Sequence, residues 1–300
     1  MPATFPQVWL NRVRTLFTTQ DQAPWLDGVE ELNVQVIEVG SGTASESNII
    51  HIPTTDFEPD VLINNTTYPI ALQAYTDDEV TIQLDKYQTK VTTVSDDDVM
   101  GASYPKIDGV TKTHVTSITK KKYQKAIHSL APGTNSADTP IIECTGATIG
   151  SRKQMTYADL VAMKAAADKM EMPAEGRRVV LSSDHFNDLL LSTGEVGKAL
   201  VNYSAGKTVP IIAGWEIYTY VANPYYTSAG VKNAFGSVPG GTDRRASIFF
   251  SVPNVVKKTG LTKQYFSPSS GAPTTQSNQL SYRHYFIALP VRAKYLGANY

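Results

Sequence analysis

The stretch that most restricts what this chain can fold into is "TYADLVAMKAAADKMEMPAEGRRVVLSSDHFNDLL", residues 156–190. Thr156 can cap a helix, and Asp159 suits its positive N-terminal end. Leu160, Met163, Ala167 and Met170 then recur at helical spacing until Pro173 stops the pattern. "RRVVL" follows as a short buried strand. "DHFNDLLL" reads as a second helix whose inner face carries Phe186, Leu189 and Leu190. Ser182 or Ser183 can cap that helix. The assignment favours Ser183, with Asp184 complementing the helix dipole.

The same stretch sets Ser183, Asp184 and His185 side by side, the residue types of a hydrolase triad. A working triad needs the base within reach of the hydroxyl and the acid within reach of the base, and adjacent side chains diverge. No Gly-x-Ser-x-Gly elbow is present either, since Ser182 and Ser183 have Leu181 and Asp184 outside them and no glycine nearby. A capped strand-to-helix turn is the simpler reading, with His185 incidental and no enzyme activity expected.

Other candidate chemistry fails on spacing. "AGKT" at 205–208 resembles the end of a phosphate-binding loop, but Val201 stands where the first Gly belongs and a strand pattern follows. Asp96, Asp97 and Asp98 lack the alternating ligands and glycine of a calcium loop. The five histidines show no paired metal spacing, and Cys144 is the one cysteine, so no zinc site and no intrachain disulfide are expected. No metal or other cofactor is implied. A lone cysteine suits a reducing compartment, and the N-terminal "MPATFPQVWLNRVRTLF" lacks a signal-peptide core. No apolar run approaches membrane-spanning length, so no membrane partner is expected. Lys+Arg (27) and Asp+Glu (28) nearly cancel, so any contact with a polyanion must be local. One such patch is Lys120, Lys121, Lys122 and Lys125; it can equally be a solvated helical face.

The remaining chain has an α+β pattern. Trp9, Val13, Leu16 and Phe17 form one face of a short N-terminal helix that must dock on something. "LNVQVIEV" (32–39), "NIIHIP" and "DEVTIQLDKYQTKVTTV" have strand character around a long polar excursion, which predicts a protruding hairpin whose half-apolar faces need a neighbour's cover. Residues 103–131 read as a long helix with Ser103 as cap, Pro105 in its first turn and Pro132-Gly133 at its end. "VPIIAGWEIYTYVANP", "ASIFFSV" and "QLSYRHYFIALPVRAKYL" supply further strands.

In this order the parts resemble the major capsid (coat) proteins of tailed bacteriophages, with the Hong Kong 97-type fold. The residues that carry the likeness are Pro173-x-x-Gly176-Arg177, the following "VVLSSDHFNDLL" (Ser183 stands where the family often has Pro), "GKTVPIIAGWEIYTYVANP" and the closing "YRHYFIALPVRAKYLGANY". The resemblance implies an N-terminal arm over 1–31 and an extended β-hairpin loop with flanking strands over 32–95. It implies a peripheral domain with a spine helix over 96–145, an axial domain over 146–278, and C-terminal strands over 279–300 returning to the peripheral domain. The implied role is self-association into hexamers and pentamers of an icosahedral shell in the virion, assembled in the host cytoplasm. The implied partners are other copies of the chain, a portal, a separate scaffolding protein, a decoration protein, and packaged double-stranded DNA held without sequence preference. The lysines of 120–125 are the candidate DNA-facing residues. An encapsulin-type cellular compartment and a soluble hydrolase using Ser183 and His185 are the competing readings.

Overall fold

A computed structural model describes residues 23–33, 49–54, 59–74, 78–96, 106–191, 198, 210–271, 274 and 276–300. The expected N-terminal helix, most of the 32–39 strand, the Ser103 cap and the Gly-Lys-Thr at 206–208 lie outside these residues. The chain divides into two compact units, one spanning Asn33–Asp85 and the other built from the segments on either side of it.

In the smaller unit, strands β2 (Ile49–Thr54) and β3 (Asp78–Gln83) pair antiparallel, from Ile49 opposite Gln83 to Thr54 opposite Asp78. This is the hairpin that the alternating pattern predicts. Residues 59–74 belong to the connection between its strands.

The larger unit holds two main sheets, its strands numbered in chain order. The first has the order β1 (Glu30–Glu31), β15 (Val255–Ser267), β16 (Ser277–Pro290), β4 (Asp85–Gln88), with β5 (Thr92–Ser95) also paired to β16. The second has the order β10 (Ile211–Ile212), β11 (Trp215–Thr219), β9 (Arg177–Leu181), β14 (Ser247–Ser251), β17 (Leu296–Asn299), β6 (Ile141–Ile142). Among the described residues, the unit also has two-stranded pairs, β7 (Thr148–Ile149) with β8 (Arg152–Lys153) and β12 (Tyr225–Tyr226) with β13 (Arg244–Arg245). The α-helices among the described residues are α1 (Lys106–Leu130), α2 (Tyr157–Lys169) and α3 (Ser183–Leu190).

β9 explains why the second sheet is buried on both faces. Val179 and Leu181 pack into a cluster with Leu160, Met163 and Ala167 of α2, while Val180 packs into a different cluster with Ile127 and Leu130 of α1. Successive side chains of a strand point to opposite faces, so a continuous apolar run serves two helix layers at once. β14 repeats this: Phe249 joins the α2 layer, and Ile248 and Phe250 join the α1 layer.

α1 is the spine of the unit because its buried stripe meets both sheets. Val115 and Ile118 pack with Leu280 and Tyr282 of β16, and Tyr123, Ala126, Ile127 and Leu130 pack on the second sheet. Four threonines and Gly109 give this helix weak intrinsic propensity, and these tertiary contacts stabilise it instead. α2 begins as the sequence predicts. Asp159, fully buried, accepts from the Thr156 N–H (2.7 Å) and hydroxyl (2.8 Å), and its other oxygen accepts from the Thr145 N–H (3.0 Å) and hydroxyl (2.7 Å). All four bonds go to one carboxylate, which is how a buried charge is tolerated.

Several expectations are revised. Residues 23–31, assigned to the arm, pack into the body: Trp25 is fully buried beside Tyr220, and Arg178 donates to the carbonyls of Trp25 (3.1 Å) and Asp27. β15 lies within the 146–278 stretch assigned to the axial domain, yet it pairs with β16 and β1. The C-terminal strands do not stay together: β16 runs beside α1, while β17 joins the second sheet between β14 and β6. The cap of α3 is Ser182 rather than Ser183. Ser182 has the extended backbone of a cap (φ −68, ψ 155) and its Oγ accepts the His185 N–H at 3.3 Å, whereas Ser183 is already the first helical residue. Asp184 does lie in the first turn.

Candidate functional site

Three places gather chemistry-bearing or unusually exposed side chains. The first is a buried polar cluster around His185. Its Nδ1 lies 2.7 Å from Ser247 Oγ and its Nε2 3.7 Å from Cys144 Sγ, while the Cys144 thiol donates to Asn299 Oδ1 at 2.6 Å. Ser247 Oγ also accepts the Ser182 N–H at 3.0 Å. His185 is therefore a hub tying the start of α3 to β14 and the chain end, not an incidental residue. Sequence reasoning missed this grouping because Cys144, His185, Ser247 and Asn299 come from four separate segments with no informative spacing.

A Cys-His-Asn arrangement invites a catalytic reading, and the electrostatics oppose it. Burial first, then Asp159 and Asp188, push the Cys144 thiol far up, and burial pulls His185 down to about 4. A working pair needs a thiolate beside an imidazolium, with access for substrate. Here both partners are neutral and sealed from solvent. Ser183 makes no bond to His185, whose ring turns to Ser247, so the proposed hydrolase pair is not assembled. Beside the cluster, Arg152 grips Asp188 through both nitrogens (2.5 and 3.0 Å) and the Met155 N–H adds a third bond at 3.0 Å. Burial favours the protonated acid, but these bonds outweigh it and hold Asp188 below the usual carboxylate range. Among the described residues no group of three or more His, Cys, Asp or Glu side chains is placed to hold a metal ion.

The second place is the outer face of α1. Lys120 and Lys121 are exposed, and Lys125 is half-buried with Nζ 5.0 Å from the Phe235 ring centre. Lys122 departs from the expected patch. It occupies the inward row Ile118–Lys122–Ala126, is 5% exposed, and lays its Nζ over the rings of Tyr123 (4.6 Å) and Phe286 (5.0 Å). The four-residue spacing from Ile118 was the available signal. The end of α1 is also held from outside: Lys232 Nζ donates to the carbonyls of Ala131 (2.6 Å) and His128 (3.3 Å), and His128 Nε2 pairs with the Asn233 carbonyl at 2.9 Å.

The third place is residues 59–74 of the smaller unit. Val61 (82%) and Ile63 (83%) are almost fully exposed and Leu72 completely so, with Leu62, Tyr68 and Ile70 each more than half exposed. The segment nevertheless has a defined shape. The Asp60 N–H donates to Gln73 Oε1 at 2.9 Å, closing its ends, and Asn65 Oδ1 accepts the Thr67 N–H at 3.0 Å in a tight turn. Six large apolar side chains within twelve residues, turned outward on an ordered loop, form the kind of surface that a partner covers.

The sequence model of the phage capsid protein family matches residues 77–298, most of the larger unit together with β3. The chain belongs to this family. It has the Hong Kong 97-type fold of a tailed-phage major capsid protein. Solved structures agree at low identity. The mature capsid of bacteriophage PhiM1 matches with a TM-score of 0.63 at 12% identity, covering 91% of this chain and 86% of that one. The capsid of cyanophage P-SCSP1u matches with a TM-score of 0.62 at 15% identity, over 90% and 88%. A virus-like particle from Pyrococcus furiosus matches with a TM-score of 0.58 at 8% identity, over 99% and 100%. A comparison with curated protein sequences finds no match. Capsid membership accounts for an outward apolar loop better than any catalytic reading does, because a shell subunit is one part of a larger buried surface.

Proposed function

We propose that this capsid-family chain self-assembles into the hexamers and pentamers of an icosahedral shell that encloses a double-stranded DNA genome in a tailed-phage virion. The observation that carries the proposal is the exposed apolar loop at 59–74. In an isolated chain these side chains face water at a cost of about 25 cal/mol per Å2; a neighbouring subunit removes that cost, and the gain is repeated at each subunit. Assembly takes place in the bacterial cytoplasm with a portal and a scaffolding protein as further partners, and a decoration protein binds the finished shell. Replacing Val61, Ile63 and Leu72 together by Ser tests the reading. These positions bear no load within the chain, so the variant should fold with unchanged thermal stability yet sediment as small species where the parent forms particles. A variant that still forms particles would contradict the role of the loop.

A second reading, a cellular shell rather than a virion, draws on the likeness to the Pyrococcus furiosus virus-like particle over its full length. The family model favours the phage reading. Nucleic acid co-purifying with the particles would support it, and an enclosed protein cargo would support the alternative.

A further inference from the structure

A groove of about 580 Å3 lies in the larger unit between α1 and the β4–β5 segment. Two rows of exposed polar side chains form its walls. Lys86, Gln88 and Lys90 alternate along the strand side, and Thr113, Ser117 and Lys121 recur every four residues along the helix side. The strand row spans about 13 Å at about 3.3 Å per residue. The helix row spans about 12 Å at about 1.5 Å per residue. The walls are therefore matched in length and carry three cations, two hydroxyls and an amide, and no aspartate or glutamate is among the lining residues. In a chain whose overall charge is −1, this is a concentrated local excess of positive charge.

We propose that this groove takes the phosphate backbone of duplex DNA, without reading its sequence. Lysine ammonium groups, hydroxyls and amides are the side chains that contact phosphate and sugar oxygens. An acidic peptide helix would need apolar anchors in the groove. The one exposed large apolar side chain among the lining residues is Phe235, while Ile118 and His114 are buried. The inference rests on the shell reading above and moves the polyanion contact from the run 120–125, where Lys122 is buried, to lysines converging from two elements.

The test compares two full-length variants of equal charge change, Lys86→Gln/Lys90→Gln/Lys121→Gln and, as control, Lys153→Gln/Lys164→Gln/Lys169→Gln. Each is titrated with a short duplex of random sequence over a range of NaCl concentrations and imaged by electron microscopy. The expected result is normal particles from both variants, with the slope of log K against log salt reduced by about 2–3 for the groove variant alone, about 0.9 for each phosphate that is no longer neutralised. An unchanged slope, an equal reduction in the control, or displacement of the duplex from the parent protein by a polyglutamate peptide at equal charge would overturn the groove assignment. Those results would leave the shell reading standing; a failure of the parent protein to form particles would count against the shell reading instead.

Discussion

Gly297 faces Phe249 across β17 and β14, and a Cβ built on Gly297 would meet the Phe249 ring at 1.9 Å. That ring is fully buried against Trp215 at 5.2 Å and has no room to retreat. Gly297→Ala should therefore destabilise the chain by roughly 1–3 kcal/mol, as overpacking does, seen as a lower denaturation midpoint; an unchanged midpoint would show that the sheet yields. The corrected cap makes a sharper prediction. Ser182→Ala should cost about 0.5–2 kcal/mol, and Ser183→Ala should lie close to the parent. Protonation acts at the same scale. His185 and His284 are held down to about 4 and about 3, in both cases chiefly by burial, against 6.5 for an unperturbed histidine. As pH falls below 6.5 the unfolded chain takes up protons that these folded histidines refuse, so stability declines. The decline is complete for His185 below about pH 4 and for His284 below about pH 3. Denaturant titrations at pH 7 and pH 4.5 should show this fall, and His185→Gln should make it shallower.

At the scale of elements, α1 couples two sheets and is closed by the 232–235 segment. Lys232→Met removes the cation from the last carbonyls of the helix and should cost about 1–2 kcal/mol. Hydrogen exchange should then rise at 126–131 while the β9 amides stay protected; equal protection of both regions would remove Lys232 from this role. This scale also shows why some elements were legible in the sequence and others were not. α2, β9 and α3 carry caps, a proline stop and clean apolar runs; α2 and β9 form where those signals place them, and α3 begins one residue before its assigned cap implies. β15 was missed because its alternation is interrupted: Lys257, Lys258 and Lys263 dilute the apolar face, and the register shifts between Thr259 and Thr262, which reverses the facing of the residues beyond Thr262. The closing strands read as one alternating run. Positive φ at Tyr295, and the Asn254 amide donating to the carbonyls of Arg292 (3.1 Å) and Lys294 (2.6 Å), mark the corner that sends β17 into the other sheet. The corner depends on a residue some forty positions away, which local pattern cannot register. The helix pattern did contain the inward position of Lys122, but its charge suggested a solvent-facing residue. Nothing in the sequence brings Cys144, His185 and Ser247 together.

At the scale of the whole molecule, Cys144 and His185 are buried and neutral, while large apolar side chains of residues 59–74 face water. This arrangement suits a subunit whose work is association, and the family match places the chain among proteins of that kind. The central claim is that the folded chain completes its structure by joining copies of itself. Negative-stain electron microscopy of the purified protein tests it most directly: uniform shells or six- and five-fold capsomer rings are the predicted result, and a folded monomer that persists at high concentration would contradict it.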